Sequence, residues 1–399
     1  MEDFDPKAFV EKQIREIKEV IKDEKAVIAV SGGVDSSTCA VLTHLAIGKN
    51  LVCVMLDDAF MRESEPERVA EILSRPPLSL PMKIERVQER FLGALKGLRD
   101  AEEKRKAFRE TFYRTLGEIA EREGSKFLVQ GTILADIIET KGGIKTQHNV
   151  LEQMGISTRE LYGFRVVEPL VTLLKWQVRE VARHLKIPAE MSERQPFPGP
   201  GLSVRAVGEV RRDKLASLKR ATALTEEKLA LHRPSQYFAA IIDNVEKRPR
   251  PGLDKIKETA AKSLAVDPED VSAKVFADKA TGMKGKARKY GEILALSCRR
   301  DGDVLQPNLK YLTGLQENIV KENPSVTRVL YTITERKEAQ PYVIAVRAVE
   351  TRDFLTARVA DIPWKTLNDA AKSILDECPD VSTVYYDVTP KPPATVEME

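Results

Sequence analysis

The segment AVIAVSGGVDSSTCAVLTHLAIG, residues 26–48, decides the fold. AVIAV (26–30) is a continuous apolar run with β-branched residues, which is typical of a strand buried on both faces. SGGVDSS (31–37) follows it directly, and STCAVLTHLAIG (37–48) then has a helical pattern that Gly48 ends. A strand, a glycine turn and a helix in this order predict the first unit of an α/β sheet.

Four more apolar runs predict further strands, and helical stretches separate them. They are LVCVMLDD (51–58), MKIERV (82–87), KFLVQGT (126–132) and RVVEPL (165–170). The alternation predicts a doubly wound, parallel sheet of five strands, with its ligand site at the carboxyl ends of the strands. The loop 31–37, the pair Asp57 and Asp58, and QGT (130–132) all follow strands. We therefore expect them to meet at one edge of the sheet.

The loop 31–37 has the composition of a phosphate-binding turn. Gly32 and Gly33 let the backbone turn tightly and approach a ligand, and the N–H groups at the start of the next helix favour an anion. Neither GxxxxGK[ST] nor GxGxxG occurs in the chain, so the loop is neither a Walker A loop nor a dinucleotide fingerprint. A good N-cap would explain SGG alone, but not the run of small and polar residues after it. We therefore predict phosphate binding.

Composition narrows the class of protein. The chain has 399 residues, of which 42% are hydrophobic and 31% charged, as is common for soluble globular proteins. Lys and Arg total 64 against 61 for Asp and Glu, which argues against a dedicated nucleic-acid-binding protein. No apolar run approaches the ~20 residues of a membrane span, and the N-terminus lacks the pattern of a secretory signal. The four cysteines lie far apart, so we expect a reduced, cytoplasmic protein.

The C-terminal part of the chain contains an internal repeat. LTGLQENIVKENPSVTRVLYTIT (312–334) aligns without gaps with LNDAAKSILDECPDVSTVYYDVT (367–389). In each copy an amphipathic helix precedes a proline and an alternating strand, and another strand lies upstream, at 290–297 and 342–349. We predict two small strand–helix–strand modules that pack on each other.

The proline-rich and charged stretches set the predicted domain boundaries. PFPGPG (196–201) enforces an irregular loop, and 244–272 contains RPRPG and many charges, so we interpret it as a linker or surface insertion. The predicted domains are 1–205 for the sheet, 206–272 for a helical connection and charged linker, 273–334 for the first module and 335–399 for the second.

Seven motifs carry a resemblance to a known family. In chain order they are SGGVDSS (31–37), QGTILAD (130–136), IKTQHNV (144–150), EPL (168–170), PFPGPGLSVR (196–205), RAVETRDFLTA (347–357) and KPPATVEME (391–399). With these motifs the chain resembles the ATP pyrophosphatase (PP-loop) family, and more narrowly the synthetase portion of the GMP synthetases. The resemblance implies an adenine nucleotide alpha hydrolase-like sheet domain, followed by two dimerisation-type modules in tandem.

The resemblance also implies the reaction. ATP adenylylates the 2-oxygen of XMP and releases pyrophosphate, and ammonia then displaces AMP to give GMP, so the enzyme is a ligase that forms a C–N bond. Mg²⁺ would offset the charge of the departing pyrophosphate. Too few residues precede the first strand for a glutaminase domain, so ammonia would come from a separate glutaminase subunit or from solution. Because the two modules can pair within one chain, we expect a monomeric synthetase subunit.

The motifs assign site residues position by position. Asp35 is the expected Mg²⁺ ligand and a catalytic residue, and Lys145 matches the family's lysine near the adenylylated intermediate, although it could be a solvated loop residue. Asp57 or Asp58 is a candidate for adenosine or metal contact, with a helix N-cap as the alternative; for Asp136 a capping role is likewise the alternative to purine contact. The predicted ATP-binding residues are Ser31, Gly32, Gly33, Val34, Asp35, Ser36, Ser37, Asp57, Gln130, Gly131 and Thr132. The predicted substrate-binding residues are Asp136, Arg205, Gly282, Gly285, Arg288, Lys391, Thr395 and Glu397.

Several positions depart from the family pattern, among them LEQMG (151–155), LDDAF (56–60) and three single residues. Gln147 and Gln195 stand where the family has histidine, and Lys286 stands where it has aspartate. These departures concern the acceptor rather than the ATP loop. Two alternatives therefore stay open: a PP-loop enzyme acting on a different oxo-purine or tRNA base, and a nucleotide-binding regulatory protein without turnover. The near-balanced charge argues against tRNA, and the intact motifs SGGVDSS and KPPATVE, together with Lys145, argue against loss of turnover.

Overall fold

The computed structural model describes residues 4–141, 158–248, 251–285, 287–351 and 355–399. The chain divides into two compact units. The N-terminal unit comprises Met1–Ala94 and Lys106–Gly199, and the C-terminal unit comprises Leu95–Arg105 and Pro200–Glu399.

The N-terminal unit is built on a five-stranded, wholly parallel sheet in the order β3-β2-β1-β4-β5. Its strands are β1 (Lys25–Ala29), β2 (Leu51–Asp57), β3 (Met82–Arg86), β4 (Ser125–Val129) and β5 (Arg165–Val167). The predicted five-stranded, parallel, doubly wound sheet is therefore confirmed.

The helices of this unit alternate with the strands along the chain. They are α1 (Pro6–Ile21), α2 (Val34–Ile47), α3 (Glu65–Ser74), α4 (Gln88–Leu95), α5 (Ala101–Glu123), α6 (Leu134–Lys141), α7 (Thr158–Tyr162), α8 (Lys175–His184) and α9 (Ala189–Ser192). Leu95 of α4 and the first turn of α5 belong to the C-terminal unit.

Successive residues of β1 face two different cores, which explains the continuous apolar run. Ala26 and Ile28 pack into one hydrophobic cluster. Val27 packs into another, together with Val54 of the neighbouring strand and Leu116 of α5. Because successive side chains of a strand point to opposite faces of its sheet, both faces of this sheet are covered.

The C-terminal unit contains an eight-stranded mixed sheet. Six strands follow the order β12-β11-β13-β10-β8-β7, while β6 pairs with β11 and β9 pairs with β8. The strands are β6 (Gln236–Asp243), β7 (Val271–Lys284), β8 (Ala287–Arg300), β9 (Asp303–Val304), β10 (Val326–Glu335), β11 (Tyr342–Glu350), β12 (Arg358–Val359) and β13 (Val381–Asp387). The helices are α10 (Arg212–Leu229), α11 (Leu253–Leu264), α12 (Leu309–Glu322) and α13 (Trp364–Glu377).

The two sequence repeats form two structural repeats of this sheet. In the first, β8 and β10 are parallel and α12 connects them; in the second, β11 and β13 are parallel and α13 connects them. The inner strands β10 and β13 pair in antiparallel fashion. The two modules thus complete each other's sheet within one chain.

The structure differs from the sequence-based expectation in the stretch before and around the start of the first module. Strands β6 and β7 were not predicted, and 244–272 contains the packed helix α11 rather than only a linker. That helix buries Ile256, Ala260 and Leu264 at helical spacing, although five of its twelve residues are charged. The many charged residues of this stretch obscured the pattern of an amphipathic helix.

The domain boundaries given above remain a prediction. In the part of the chain that the structure describes, no helix is long and apolar enough to cross a membrane.

Candidate active site

The loop 31–37 joins β1 to α2 and is closed by its own serines. The backbone N–H of Ser31 donates to Ser36 Oγ at 3.2 Å, and Ser36 Oγ donates to the carbonyl oxygen of Gly33 at 3.2 Å. Gly32 has φ +77°, a conformation that glycine adopts without strain. Gly33 caps α2 with extended backbone angles, so the helix begins at Val34, directly after the two glycines, and its first N–H groups have no partner within the helix.

Asp35 lies in the first turn of α2 and pairs with a lysine that the motifs did not indicate. Lys175, the first residue of α8, donates from Nζ to both carboxylate oxygens of Asp35, at 2.9 and 2.7 Å. Burial raises the pKa of Asp35; Lys175 opposes that rise, and nearby Asp136 adds to it. The ammonium therefore favours the charged form of a carboxylate that burial disfavours.

Gly131 brings the end of β4 against the start of α2. A Cβ atom at this position would lie 2.9 Å from both the carbonyl carbon of Asp35 and the backbone nitrogen of Ser36. Only glycine allows this approach. Gln130 contacts the same helix through its carbonyl oxygen, which accepts from Cys39 Sγ at 3.4 Å, while its side-chain amide donates to the Tyr113 hydroxyl at 2.7 Å. The structure thus brings the predicted residues 31–37 and 130–131 together, and Thr132 follows as a fully buried residue.

The two carboxylates at the end of β2 have partners within the protein. Asp57 Oδ2 accepts from Arg86 Nη1 at 3.1 Å and from Gln88 Nε2 at 2.7 Å. Asp58 Oδ1 accepts from the backbone N–H of Phe60 at 2.8 Å, which is a local turn contact. Asp136 makes a similar local contact, accepting from the N–H of Ile133 at 3.0 Å. These contacts fit capping and anchoring roles, so ligand contact by Asp57 and Asp136 stays a prediction.

The loop's chemistry fits Mg²⁺ carried by phosphate rather than a closed protein site. Among the residues that the structure describes, no group of three or more His, Cys, Asp or Glu side chains could hold a metal ion. Mg²⁺ bound with substrate phosphates needs only one or two protein carboxylates. Asp35 with Asp136 nearby would supply them. The Ser37 hydroxyl in α2 is buried and has no hydrogen-bond partner among the described residues, so it is a further donor at this site.

The C-terminal segment 391–399 is fixed by buried ion pairs in the C-terminal unit. Arg205 donates from Nε and Nη2 to the Glu397 carboxylate at 2.9 and 3.0 Å. Its guanidinium carbon lies 4.0 Å from the centre of the Phe238 ring, and Gln236 Nε2 adds a third hydrogen bond to Glu397 at 2.7 Å. Since Arg205 is 1% exposed, it holds Glu397 rather than presenting an open cation.

Two further arginines hold the backbone of the same segment. Arg328 and Arg347 both donate to Asp387 Oδ2, at 2.8 and 2.9 Å, and none of the three is exposed. Arg347 also donates to the carbonyl oxygens of Thr395 and Val396, at 2.9 and 2.8 Å. Burial and the neighbouring Arg347 lower the pKa of Arg328 to about 10. The segment's shape is therefore fixed by cations from two different strands.

The other residues that were predicted to bind the acceptor nucleotide differ in how close they lie to this segment. A Cβ on Gly282 would meet the carbonyl oxygen of Pro393 at 2.8 Å, so this glycine lies directly against the segment. Lys391 exchanges backbone hydrogen bonds with Ala357 at 2.8 and 3.0 Å. Gly285 lies at the β7–β8 turn, with φ +61°, and Arg288 pairs with Glu102 at 2.6 Å. Lys145, Gln147 and Lys286 lie outside the described residues.

Two family models match the chain in the regions of these two sites. Residues 6–190 match the PP-loop domain, and residues 337–398 match the GMP synthase C terminal domain. Together with the five-stranded parallel sheet and the loop 31–37, the first match defines the class of the N-terminal part: the chain contains a PP-loop domain.

Relatives along the whole chain specify the family. The chain is similar to proteins that are each named as one of the subunits of glutamine-hydrolyzing GMP synthase. It is 42% identical over 396 residues to that of Sulfurisphaera tokodaii, 41% over 398 to that of Saccharolobus solfataricus, and 40% over 403 to that of Methanopyrus kandleri. In each comparison 99% of this chain and 100% of the relative are covered. The chain therefore belongs to this family of GMP synthase subunits.

Proposed function

We propose that the chain is the synthetase subunit that aminates XMP to GMP. It uses ATP, proceeds through an adenylyl-XMP intermediate, and releases AMP and pyrophosphate. The observation that carries the proposal is the loop 31–37, which follows the first core strand and begins α2 beside Gly131 and the Asp35–Lys175 pair.

The loop suits transfer of the inner phosphoryl group. The carbonyl-derived 2-oxygen of XMP is a poor leaving group, and adenylylation makes it a good one. Attack at the α-phosphorus makes pyrophosphate depart, so the protein must hold the two outer phosphates. Fixed N–H dipoles at the start of α2 serve that purpose without reorganising, and the hydroxyls of Ser31 and Ser36 would turn from their contacts within the loop to donate to phosphate. Mg²⁺, held by Asp35, would neutralise phosphate charge.

The acceptor nucleotide would bind the segment 391–399. Its prolines and buried arginine contacts fix its backbone before a ligand arrives, which lowers the ordering cost of binding. Lys391 is proposed to bind the nucleotide phosphate, with Thr395 beside it. Glu397 is proposed to contact XMP while Arg205 and Gln236 hold its carboxylate in place.

Ammonia would come from a separate glutaminase subunit or from solution. A glutaminase of the cysteine type needs a thiolate nucleophile. All four cysteines are free and buried, and burial raises the pKa of Cys53 to about 12 and those of Cys298 and Cys378 to about 11. Reduced cysteines also fit a cytoplasmic protein. Because both repeats share one sheet, we further propose that the protein is monomeric.

One assay tests the proposal. Purified chain is incubated with ATP, Mg²⁺, ammonium and XMP, and AMP, pyrophosphate and GMP are measured; reactions without XMP, or with another oxo-purine nucleotide, are the controls. We expect AMP and GMP in equal amounts, and only when XMP is present. AMP release that needs a different acceptor, or nucleotide binding without release, would contradict the proposal.

A further inference from the structure

Two lysines in charged helical stretches are completely buried. Lys104, in the first turn of α5, and Lys214, in the first turn of α10, are both 0% exposed. Lysine is almost never fully buried unless its ammonium is paired and hydrogen-bonded. Both side chains point to the same irregular stretch, residues 203–209, which we name the strap.

Lys104 Nζ is surrounded by oxygen atoms. It donates to the carbonyl oxygens of Ser203, Ala206 and Gly208 at 3.0, 2.8 and 2.9 Å, and it pairs with the carboxylate of Glu399. An ammonium has three protons and no accepting group, so these contacts use its full capacity. A neutral side chain of the same length would leave three buried carbonyl groups without this donor.

Lys214 binds further carbonyl oxygens of the strap. It donates to the carbonyl oxygens of Val207 and Glu209 and pairs with Asp243 at 2.8 Å. Between them the two lysines therefore engage five of the strap's backbone carbonyls. The strap also forms one isolated bridge to β6, in which the N–H of Val207 donates to the carbonyl oxygen of Ile241 and the N–H of Ile241 donates to that of Arg205, both at 2.9 Å. The two ammonium groups bind the carbonyl oxygens on both sides of Arg205 and so add to this bridge in fixing the path of the strap.

Of these two lysines, Lys104 alone also contacts the C-terminal segment, through Glu399. Its partner Glu399 accepts from the N–H of Gly208 and from the Tyr290 hydroxyl, both at 2.9 Å. Arg205 lies on the strap, and Glu397 lies two residues before Glu399. The two members of the Arg205–Glu397 pair are thus each tied to the same ammonium group, one through the strap and the other through Glu399.

We propose that Lys104 is a positioning residue for the acceptor nucleotide, acting by holding the strap and the C-terminal segment in register so that Glu397 meets XMP. The inference rests on the proposed function, because it takes XMP as the ligand of segment 391–399. Burial lowers the pKa of Lys104 and raises that of Glu399, which means that each charge depends on the other to persist.

The test compares Lys104→Met with Lys106→Met. Lys106 lies on the same helix and is exposed, so the second variant controls for the substitution itself. Binding of XMP and of Mg-ATP is measured separately by calorimetry, and kcat is measured at saturating substrates. Loss of a hydrogen bond to a charged group weakens a contact by roughly tenfold or more. We expect a tenfold or larger rise in the Kd for XMP in Lys104→Met, with the Kd for ATP within about twofold of wild type.

Equal changes in both Kd values, or none, would overturn the inference, since a merely structural lysine would not discriminate between the two ligands. If Lys104→Met does not fold, Glu399→Gln takes its place; it keeps the side-chain shape and removes the countercharge. A wild-type Kd for XMP in Glu399→Gln would refute the positioning role. Failure of the wild-type chain to bind XMP would instead refute the proposed function.

Discussion

Replacing Gly131 with alanine tests whether the end of β4 must touch the ATP loop. The added Cβ would lie 2.9 Å from two backbone atoms of α2, at Asp35 and Ser36, whereas ordinary contact begins near 3.4 Å. The start of α2 must therefore move by about 0.5 Å, because backbone atoms cannot rotate away as a side-chain tip would. No positive φ is involved at Gly131, so space is the only obstacle.

The expected effect falls on ATP use more than on folding. Overpacking of this kind costs about 1–3 kcal/mol of stability. Because a 1 Å misplacement of reacting groups can cost about a hundredfold in rate, a shift of half that size should lower kcat/KM for ATP by about tenfold. The assay is XMP-dependent AMP formation at varied ATP, with the Kd for XMP measured alongside. That Kd should stay at its wild-type value.

Gly93→Ala is the matched control. Gly93 lies in α4 with nothing within 4 Å of its added Cβ, so alanine there should preserve activity and raise helix stability by up to ~1 kcal/mol. A Gly131→Ala protein with wild-type kcat/KM for ATP would refute the close packing of β4 on the loop. An equal loss in Gly93→Ala would show that the assay reports general destabilisation.

Three further outcomes follow from the charges at the two sites. Lys175→Met removes the cation that counters the raised pKa of Asp35, so the acidic limb of kcat/KM for ATP should move to higher pH; an unmoved limb in the pH–rate profile would show that Asp35 does not titrate there. Lys391→Ala should raise KM for XMP more than KM for ATP in steady-state assays, and equal rises would remove its phosphate role. Asp387→Asn strips two buried guanidinium groups of their shared carboxylate and should cost about 3–5 kcal/mol, seen as a lower Tm by calorimetry; a wild-type Tm would mean that the pair is not buried.

The sheet and the position of the loop 31–37 between β1 and α2 could be predicted because their causes are local. Each buried strand is a continuous apolar run, since both of its faces are covered, and 31–37 stands out because small and polar residues follow such a run. The repeat 312–334 and 367–389 was likewise visible as a pattern, and the structure pairs its two copies across β10 and β13.

Residues joined across long stretches of chain could not be predicted. Lys175 contacts Asp35 from 140 positions away, and at the start of an amphipathic helix it looks like any solvated lysine. The only available signal was its position just after the fifth strand, where helix starts gather at the ligand edge. Strand β6 is different, because FAAII (238–242) is a continuous buried apolar run and was therefore a local signal that the sequence analysis missed between two charged stretches.

The two sites are therefore organised by different physics, and this difference has a consequence for substitutions. In the loop 31–37 the proposed ATP contacts are backbone groups whose position follows from one turn, so a change there should act mainly through shape, as at Gly131. The segment 391–399 is held by buried ion pairs, whose members are stabilised only in each other's presence. The effects of substitutions at Arg205, Glu397, Lys104 and Glu399 on stability should consequently be non-additive. In a double-mutant cycle, the variant changed at both Lys104 and Glu399 should lose far less stability than the sum of the losses in the two single variants.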